Sequence, residues 1–159
     1  MKKLVAVMMA AGLLGTGSAH AQSSTSGQFN VSVTLTSSCT LSAINDLAFS
    51  YTSFQSGTAN ATGGGYSVSC TNSLPYTFGL QSGTGTATPP GASTISVTDN
   101  AVNLAYQLAL SAAGGTGNGS AQTYSVTGSM AGNQAGTCSG ASCSNSAATN
   151  KRHTLIVNY

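Results

Sequence analysis

Apolar and polar residues alternate strictly along Gln28–Thr36, which reads QFNVSVTLT. Phe29, Val31, Val33 and Leu35 occupy every second position, and small polar residues lie between them. A period of two places successive side chains on opposite faces of an extended chain. The stretch is therefore predicted to be a β-strand with one apolar and one polar face.

The same alternation recurs in short runs through the rest of the chain, separated by stretches rich in Gly, Ser, Thr and Pro. The predicted strands are Cys39–Leu41, Leu47–Tyr51, Gly65–Thr71, Tyr76–Leu80, Thr94–Thr98, Val102–Leu110, Gln122–Thr127 and Thr154–Tyr159. The predicted loops are Gln55–Gly64, Ser82–Ala92, Ser111–Ser120 and Ser129–Asn150, with a tight turn at Asp99–Asn100. No run has a helical period. This pattern predicts an all-β sandwich with Greek-key connections.

The last predicted strand places Leu155, Val157 and Tyr159 on one face. Because no residue after Tyr159 supplies a hairpin partner, we expect this strand to leave an open apolar sheet edge, which invites pairing with another chain. The alternating strand near the other end of the chain is the candidate partner. The alternative is that Gln28–Thr36 is an ordinary first strand of its own sandwich.

The first 21 residues have the features of a cleaved export signal. Lys2 and Lys3 precede an apolar run, Leu4–Leu14, and Ala19 and Ala21 supply the small residues that a signal peptidase reads. The apolar run is 11 residues long, well short of the roughly 20 that a membrane-spanning helix needs. We therefore expect a signal peptide at 1–21, an N-terminal segment at 22–36 and a folded domain at 37–159.

Charge is scarce, at 4% of residues. Both excess positive charges lie in the predicted leader, and beyond it Lys151 and Arg152 balance Asp46 and Asp99. A mature chain without a basic patch cannot neutralise a phosphate backbone, which argues against nucleic-acid binding.

Export brings the cysteines into an oxidising compartment, where disulfides form. Four cysteines allow three pairings. We favour Cys39–Cys70, which joins two predicted strands, and Cys138–Cys143, which closes a small loop. A four-thiolate zinc site is the alternative, but it lacks the usual short spacing of paired cysteines.

No residues in the sequence suggest catalysis or cofactor binding. His153 is predicted to lie in a solvated turn, and Asp46 and Asp99 are far apart in sequence. The glycine-rich stretches do not have a phosphate-binding pattern. The six tyrosines lie mostly in alternating runs, which favours a place in the sheets over a carbohydrate-binding platform. No cofactor or metal is expected.

Several runs together resemble the spore coat protein U domain, which forms the subunits of archaic (Csu-type) chaperone–usher pili. The runs are GQFNVSVTLTSSC, LAF, YSVSCTNSLPYTFGLQSG, LAYQL and the terminal TLIVNY, and they span nearly the whole predicted mature chain. The chain departs from that family in having Asn150–His153 where a Gly-x-Tyr-x-Asp run is common, and in lacking tryptophan.

The resemblance implies an incomplete immunoglobulin-like sandwich whose missing strand is supplied first by a periplasmic chaperone and then, at an outer-membrane usher, by the next subunit. It implies donor side chains at Phe29, Val31, Val33 and Leu35. Leu155, Val157 and Tyr159 would border the acceptor groove, and Cys39–Cys70 would match the family disulfide.

The predicted function is thus a shaft subunit of a surface pilus that supports adhesion and biofilm formation. A self-contained secreted or coat protein of the same family, with its first strand folded into its own groove, is the alternative. The expected partners are other subunits, the chaperone and the usher.

Overall fold

A computed structural model describes residues 23–83, 86–145 and 151–159. The predicted leader lies outside these ranges. The chain divides into an N-terminal segment that ends at Thr34 and a compact body from Leu35 onward. No strand is assigned between residues 23 and 38. Among the described residues, no helix is long and apolar enough to cross a bilayer.

The described body consists of antiparallel β-strands, which confirms the predicted all-β fold. The strands are β1 (Cys39–Leu41), β2 (Leu47–Ala48), β3 (Ala59–Asn60), β4 (Thr62–Gly63), β5 (Gly65–Cys70), β6 (Pro75–Ser82), β7 (Thr94–Thr98), β8 (Ala105–Leu110), β9 (Gly114–Thr116), β10 (Gln122–Met130) and β11 (His153–Asn158).

Two main sheets share the core. The larger sheet has the order β1-β5-β10-β8-β7, with β3 added to β10, and the smaller has the order β11-β6-β9. β2 and β4 form a separate two-stranded pair. Consecutive strands β5 and β6 lie in different sheets, as do β10 and β11, so the connections cross between the layers as predicted for a sandwich.

The core forms where the alternating apolar positions of the two sheets meet. Along β5, Tyr66, Val68 and Cys70 are buried, and along β6 the buried alternating positions begin at Tyr76. The rings of Tyr66 and Phe78 pack edge to face with centroids 5.5 Å apart, which joins one sheet to the other.

The body has two ends, here called the arm-side pole, where the N-terminal segment joins the body at Ser38, and the far pole. The arm-side pole contains the Cys39–Cys70 disulfide, the turn Thr71–Leu74 that leads into β6, and the loop 117–120. The far pole lies at the other end of β10, after Met130, and contains the loop 52–57 together with residues 131–135. Asn133 N–H donates to the Gln55 carbonyl and joins those two segments.

The structure corrects several predicted boundaries. Val102–Leu104 is not part of a strand, because the Asp99 carboxylate accepts the N–H groups of Ala101 and Val102 and holds the chain in a turn. The predicted strand Leu47–Tyr51 is reduced to β2. Short strands β3, β4 and β9 lie in stretches predicted to be loops.

Candidate assembly site

The predicted donor residues are the most exposed large apolar side chains of the described chain. Phe29, Val31, Val33 and Leu35 are exposed to 85, 75, 84 and 78%. Burying such a side chain gains about 1.5–3 kcal/mol relative to leaving it in water. A run of four exposed side chains on one face of an extended segment is the kind of surface that marks an interaction site.

The segment containing these residues enters the body at a firmly held point. Ser38 N–H donates to Thr71 Oγ1 at 2.9 Å, and Thr71 N–H donates to the Ser38 carbonyl at 3.0 Å. The next residue, Cys39, forms the favoured disulfide with Cys70 in β5. Because β5 is an inner strand of the larger sheet, the exit of the segment is covalently attached to the middle of the body.

The second predicted disulfide, Cys138–Cys143, is also present. It closes a loop whose residues are exposed. The same region is attached to the β7–β8 turn through Asn145, whose amide donates to Asp99 Oδ2 at 2.8 Å. Asp99 is only 2% exposed, so this acid has a structural use.

β11 contains two of the three predicted acceptor residues, Leu155 and Val157, and is an edge strand. It pairs with β6 on one side, placing Leu155 opposite Leu80 and Val157 opposite Phe78. Their partners are core residues, so Leu155 and Val157 face the interior, yet both remain only partly buried. Tyr159 lies beyond the end of the strand and is 64% exposed.

The opposite face of β11 is covered. Ile156 pairs with Gly79 and is 5% exposed. A Cβ added at Gly79 would lie 1.9 Å from the Pro90 carbonyl oxygen, so the backbone of the 90–91 segment lies directly on this face. Ile156 was not singled out from the sequence, because its alternation with Leu155 and Val157 suggested a solvent-facing position.

β1, the second edge strand, contains a further candidate site residue that the sequence analysis did not single out. Leu41 in β1 pairs with Val68, a fully buried core residue, and therefore faces the interior. Even so, Leu41 is 40% exposed, because β1 is the outer strand of the larger sheet. The sequence feature that could have identified Leu41 is its alternation with Cys39, which continues the apolar alternation of the preceding segment.

β1 and β11 lie on the same side of the sandwich. The other side of β6 is taken by β9 and by Ala92, which bridges to Leu80. Three residues separate β9 from β8, and Ala92 is two residues from β7, so that side faces the β8–β7 end of the larger sheet. Within the described chain, neither β1 nor β11 has a strand on its outer side.

The apolar groove between them is the candidate acceptor, with Leu41 on one wall and Leu155 and Val157 on the other.

His153, at the start of β11, does not lie in a solvated turn, and that prediction is wrong. It is half-buried, and its Nε2 is hydrogen-bonded to the hydroxyl of Tyr106 at 2.8 Å. Its Nδ1 is buried and has no hydrogen-bond partner in the described chain. Burial lowers the pKa of His153 from its ordinary value. The prediction failed because the ring is covered by β8 of the opposite sheet, a tertiary contact that the local sequence does not show.

The described residues contain no group of three or more His, Cys, Asp or Glu side chains that could hold a metal ion. The tyrosines of the core are used structurally. Tyr76 and Tyr124 share a hydrogen bond of 2.6 Å between their hydroxyls, and the Tyr76 hydroxyl also donates to Gln122. Burial, together with the contact to Tyr124, raises the pKa of Tyr76 to about 12.

Comparison with known proteins gives one match. The sequence profile of the Spore Coat Protein U domain matches residues 25–152, which include the exposed N-terminal alternation and strands β1–β10. Searches of curated proteins and of solved structures gave no match. Since the profile covers most of the chain, the protein belongs to the Spore Coat Protein U domain family, a family of structural, pilus-type domains.

Proposed function

We propose that this protein is a structural subunit of an archaic chaperone–usher pilus and that it polymerises by donor-strand exchange. In this proposal the segment Gln22–Thr36, here called the arm, inserts into the groove between β1 and β11 of the next copy. One observation carries the proposal: the described chain combines an exposed alternating apolar arm with two edge strands whose inward-facing apolar side chains are incompletely buried.

The physical basis is strand addition. An inserted strand forms main-chain hydrogen bonds with an exposed edge and fills the groove with every second side chain. Four buried donor side chains contribute on the order of 6–12 kcal/mol in gross transfer free energy. Ordering the arm costs about 1–2 kcal/mol per residue, so the side-chain contacts must exclude water well to hold the strand.

Strand direction favours insertion into another copy over folding back. β11 runs from the far pole to the arm-side pole, because His153 pairs with Ser82 at the end of β6 and Asn158 pairs with Thr77 near its start. The arm ends at the arm-side pole of its own body, so on folding back it must run parallel to β11. In another copy it can run antiparallel, and antiparallel pairing is slightly more stable per residue.

The proposed roles of the chaperone, the usher and the assembled pilus follow from the exposed groove. An apolar edge that waits for a partner is prone to non-specific pairing, which explains the need for a periplasmic chaperone before insertion at an outer-membrane usher. The assembled product is an extracellular pilus that supports surface adhesion and biofilm formation. Assembly by strand exchange breaks no covalent bond and requires no cofactor.

The direct test removes the arm. A mature chain lacking residues 22–36 is expected to remain monomeric and to bind an added peptide of the sequence Gln28–Thr36, measured by fluorescence anisotropy of the labelled peptide. Filaments formed by the truncated chain, seen by electron microscopy, would disprove the proposal. A truncated chain that binds no peptide would also contradict the proposal, because its body would then lack a groove that accepts the arm.

The same test has a full-length form with a matched control. Val33→Asp places a charge among the donor side chains and is expected to abolish filaments, because an unpaired carboxylate cannot enter an apolar groove. Thr34→Asp introduces the same charge on the opposite face of the arm and should leave assembly largely intact. Normal filaments from Val33→Asp would contradict the proposal.

A further inference from the structure

Phe54 is exposed in a backbone conformation that is unusual for its residue type. It is 72% exposed, and its φ is 62°, in the left-handed region. Three other described non-glycine residues have positive φ, and two of them, Asn103 and Asn133, belong to the type that tolerates it. A bulky aromatic residue in this region is uncommon, and such positions concentrate at functional contacts.

The loop that carries Phe54 is held in place. Phe54 N–H donates to the Gln134 carbonyl at 2.8 Å, and Ser53 Oγ donates to the Ala135 carbonyl at 2.7 Å. The Gln134 side chain is itself fixed by two hydrogen bonds to the main chain of Ala105. Because both flanks are attached, the outward position of the ring belongs to the folded body.

The position of Phe54 in the body indicates which molecule its exposed ring would contact. Its loop is at the far pole, whereas the arm leaves from the arm-side pole at Ser38. If an incoming arm ran parallel to β11, its own body would emerge at the arm-side pole of the acceptor and would collide with the outgoing arm there. If it ran antiparallel, the incoming body would emerge at the far pole, the end of the body that carries the Phe54 loop, and the chain of subunits could continue.

The tether between the inserted strand and its body is short. Four residue steps separate Leu35, the last donor side chain, from Cys39, which is disulfide-bonded to Cys70. Four extended residues span at most about 14 Å. The body of the incoming copy must therefore lie directly against the far pole of the acceptor.

We propose that Phe54 is a contact residue between successive copies and that, in the acceptor copy, it packs on the arm-side pole of the copy that donates the arm, formed by the turn Thr71–Leu74 and the loop 117–120. The contact is separate from the groove and adds an interface of body against body. It rests on the proposed donor-strand assembly. Its partner is a second copy of this chain.

The test replaces Phe54 with a benzophenone-bearing phenylalanine analogue in the full mature chain. Filaments are irradiated and dissociated, and the crosslinked peptides are mapped by mass spectrometry. The expected result is a covalent dimer joined to residues 71–74 or 117–120 of the neighbouring copy. The same analogue at Ser96, an exposed position on the outer face of β7, is the control and should give no such dimer.

Each outcome is decisive. Intact filaments with no dimer, or with crosslinks elsewhere, would overturn this inference and leave donor-strand assembly standing. Failure of the unmodified chain to form filaments would overturn both. As a second variant, Phe54→Asn suits the left-handed backbone and should fold normally, yet its filaments should break into shorter pieces under shear. A length distribution equal to that of the unmodified chain would contradict the proposal.

Discussion

His153 shows how one side chain acquires properties that its position in the sequence does not suggest. Its ring lies between the sheets, in edge-to-face contact with Tyr106 at 6.0 Å between centroids. Burial removes water from the ring and so disfavours the protonated imidazole, which lowers the pKa of His153. The described chain contains only one histidine, which makes its titration easy to isolate.

We expect the stability of the body to fall as the solution becomes acidic. An unfolded chain binds a proton at His153 near pH 6.5, but the folded chain binds it only at lower pH. The unfolded state therefore takes up more protons as the pH falls below about 6.5. The free energy of unfolding should accordingly be flat near neutrality and decrease below this pH, by at most about 1.4 kcal/mol per pH unit.

Urea unfolding between pH 5 and 7.5 measures this effect. His153→Gln serves as the control and should remove most of the pH dependence in this interval, because histidine is the side chain whose ordinary pKa lies within it. A variant with the same slope as the unmodified protein would show that other groups are responsible.

At the scale of elements, the edge strands β1 and β11 are the two strands on which the proposed assembly depends. Each has one paired side, and each directs apolar side chains inward without complete burial: Leu41 from β1, and Leu155 and Val157 from β11. The opposite face of β11 is closed by the 90–91 segment over Ile156 and Gly79. The exposed apolar surface of β11 is thereby limited to the groove.

Leu41→Asp tests whether β1 forms one wall of the groove. We expect it to weaken binding of the Gln28–Thr36 peptide to the arm-less body by about 2 kcal/mol or more, which is about thirtyfold in Kd, because the contact of a leucine is lost and a carboxylate is desolvated. Thr40→Asp changes the neighbouring, outward-facing residue of the same strand and should alter binding by less than about 0.5 kcal/mol. Equal effects of the two changes would place Leu41 outside the groove.

At the scale of the whole molecule, the two disulfides have different positions. Cys39–Cys70 spans 31 residues and attaches the edge strand β1, together with the exit of the arm, to the inner strand β5. Cys138–Cys143 spans five residues within an exposed loop. In the chain-entropy model the longer closed loop restricts the unfolded chain more strongly.

Replacing Cys39 and Cys70 together with alanine is expected to lower the free energy of unfolding by roughly 3–4 kcal/mol, measured by chemical denaturation. The matched double replacement of Cys138 and Cys143 should cost about 2 kcal/mol or less by the same reasoning. If the second replacement destabilised the protein as much as the first, the position of the loop within the body would outweigh its length.

Features that depend on neighbouring positions along the chain could be read from the sequence. Strands β5, β6, β7 and β10 lie where the period of two predicted them, because side-chain alternation is a property of the extended backbone itself. The alternation of Phe29–Leu35 was also visible in this way, whereas the pairing of Cys39 with Cys70, 31 residues away, was favoured because it joins two predicted strands. Boundaries at turns were less predictable, since the side chain of Asp99 redirected Val102–Leu104 out of the predicted strand.

The sequence predicted that the last strand would be an edge, but only the tertiary structure decided that β1 is a second edge and how far the apolar residues of both strands are buried. The inward yet exposed position of Leu41, the burial of Ile156 under the 90–91 segment, the enclosure of His153 by β8 and the outward position of Phe54 all depend on contacts between residues distant in sequence. Periodicity assigns each side chain to a face of its own strand. It carries no information about whether another part of the chain covers that face, and this is why the alternation of Phe29–Leu35 was determined by the sequence alone whereas the exposure of Leu41 was not.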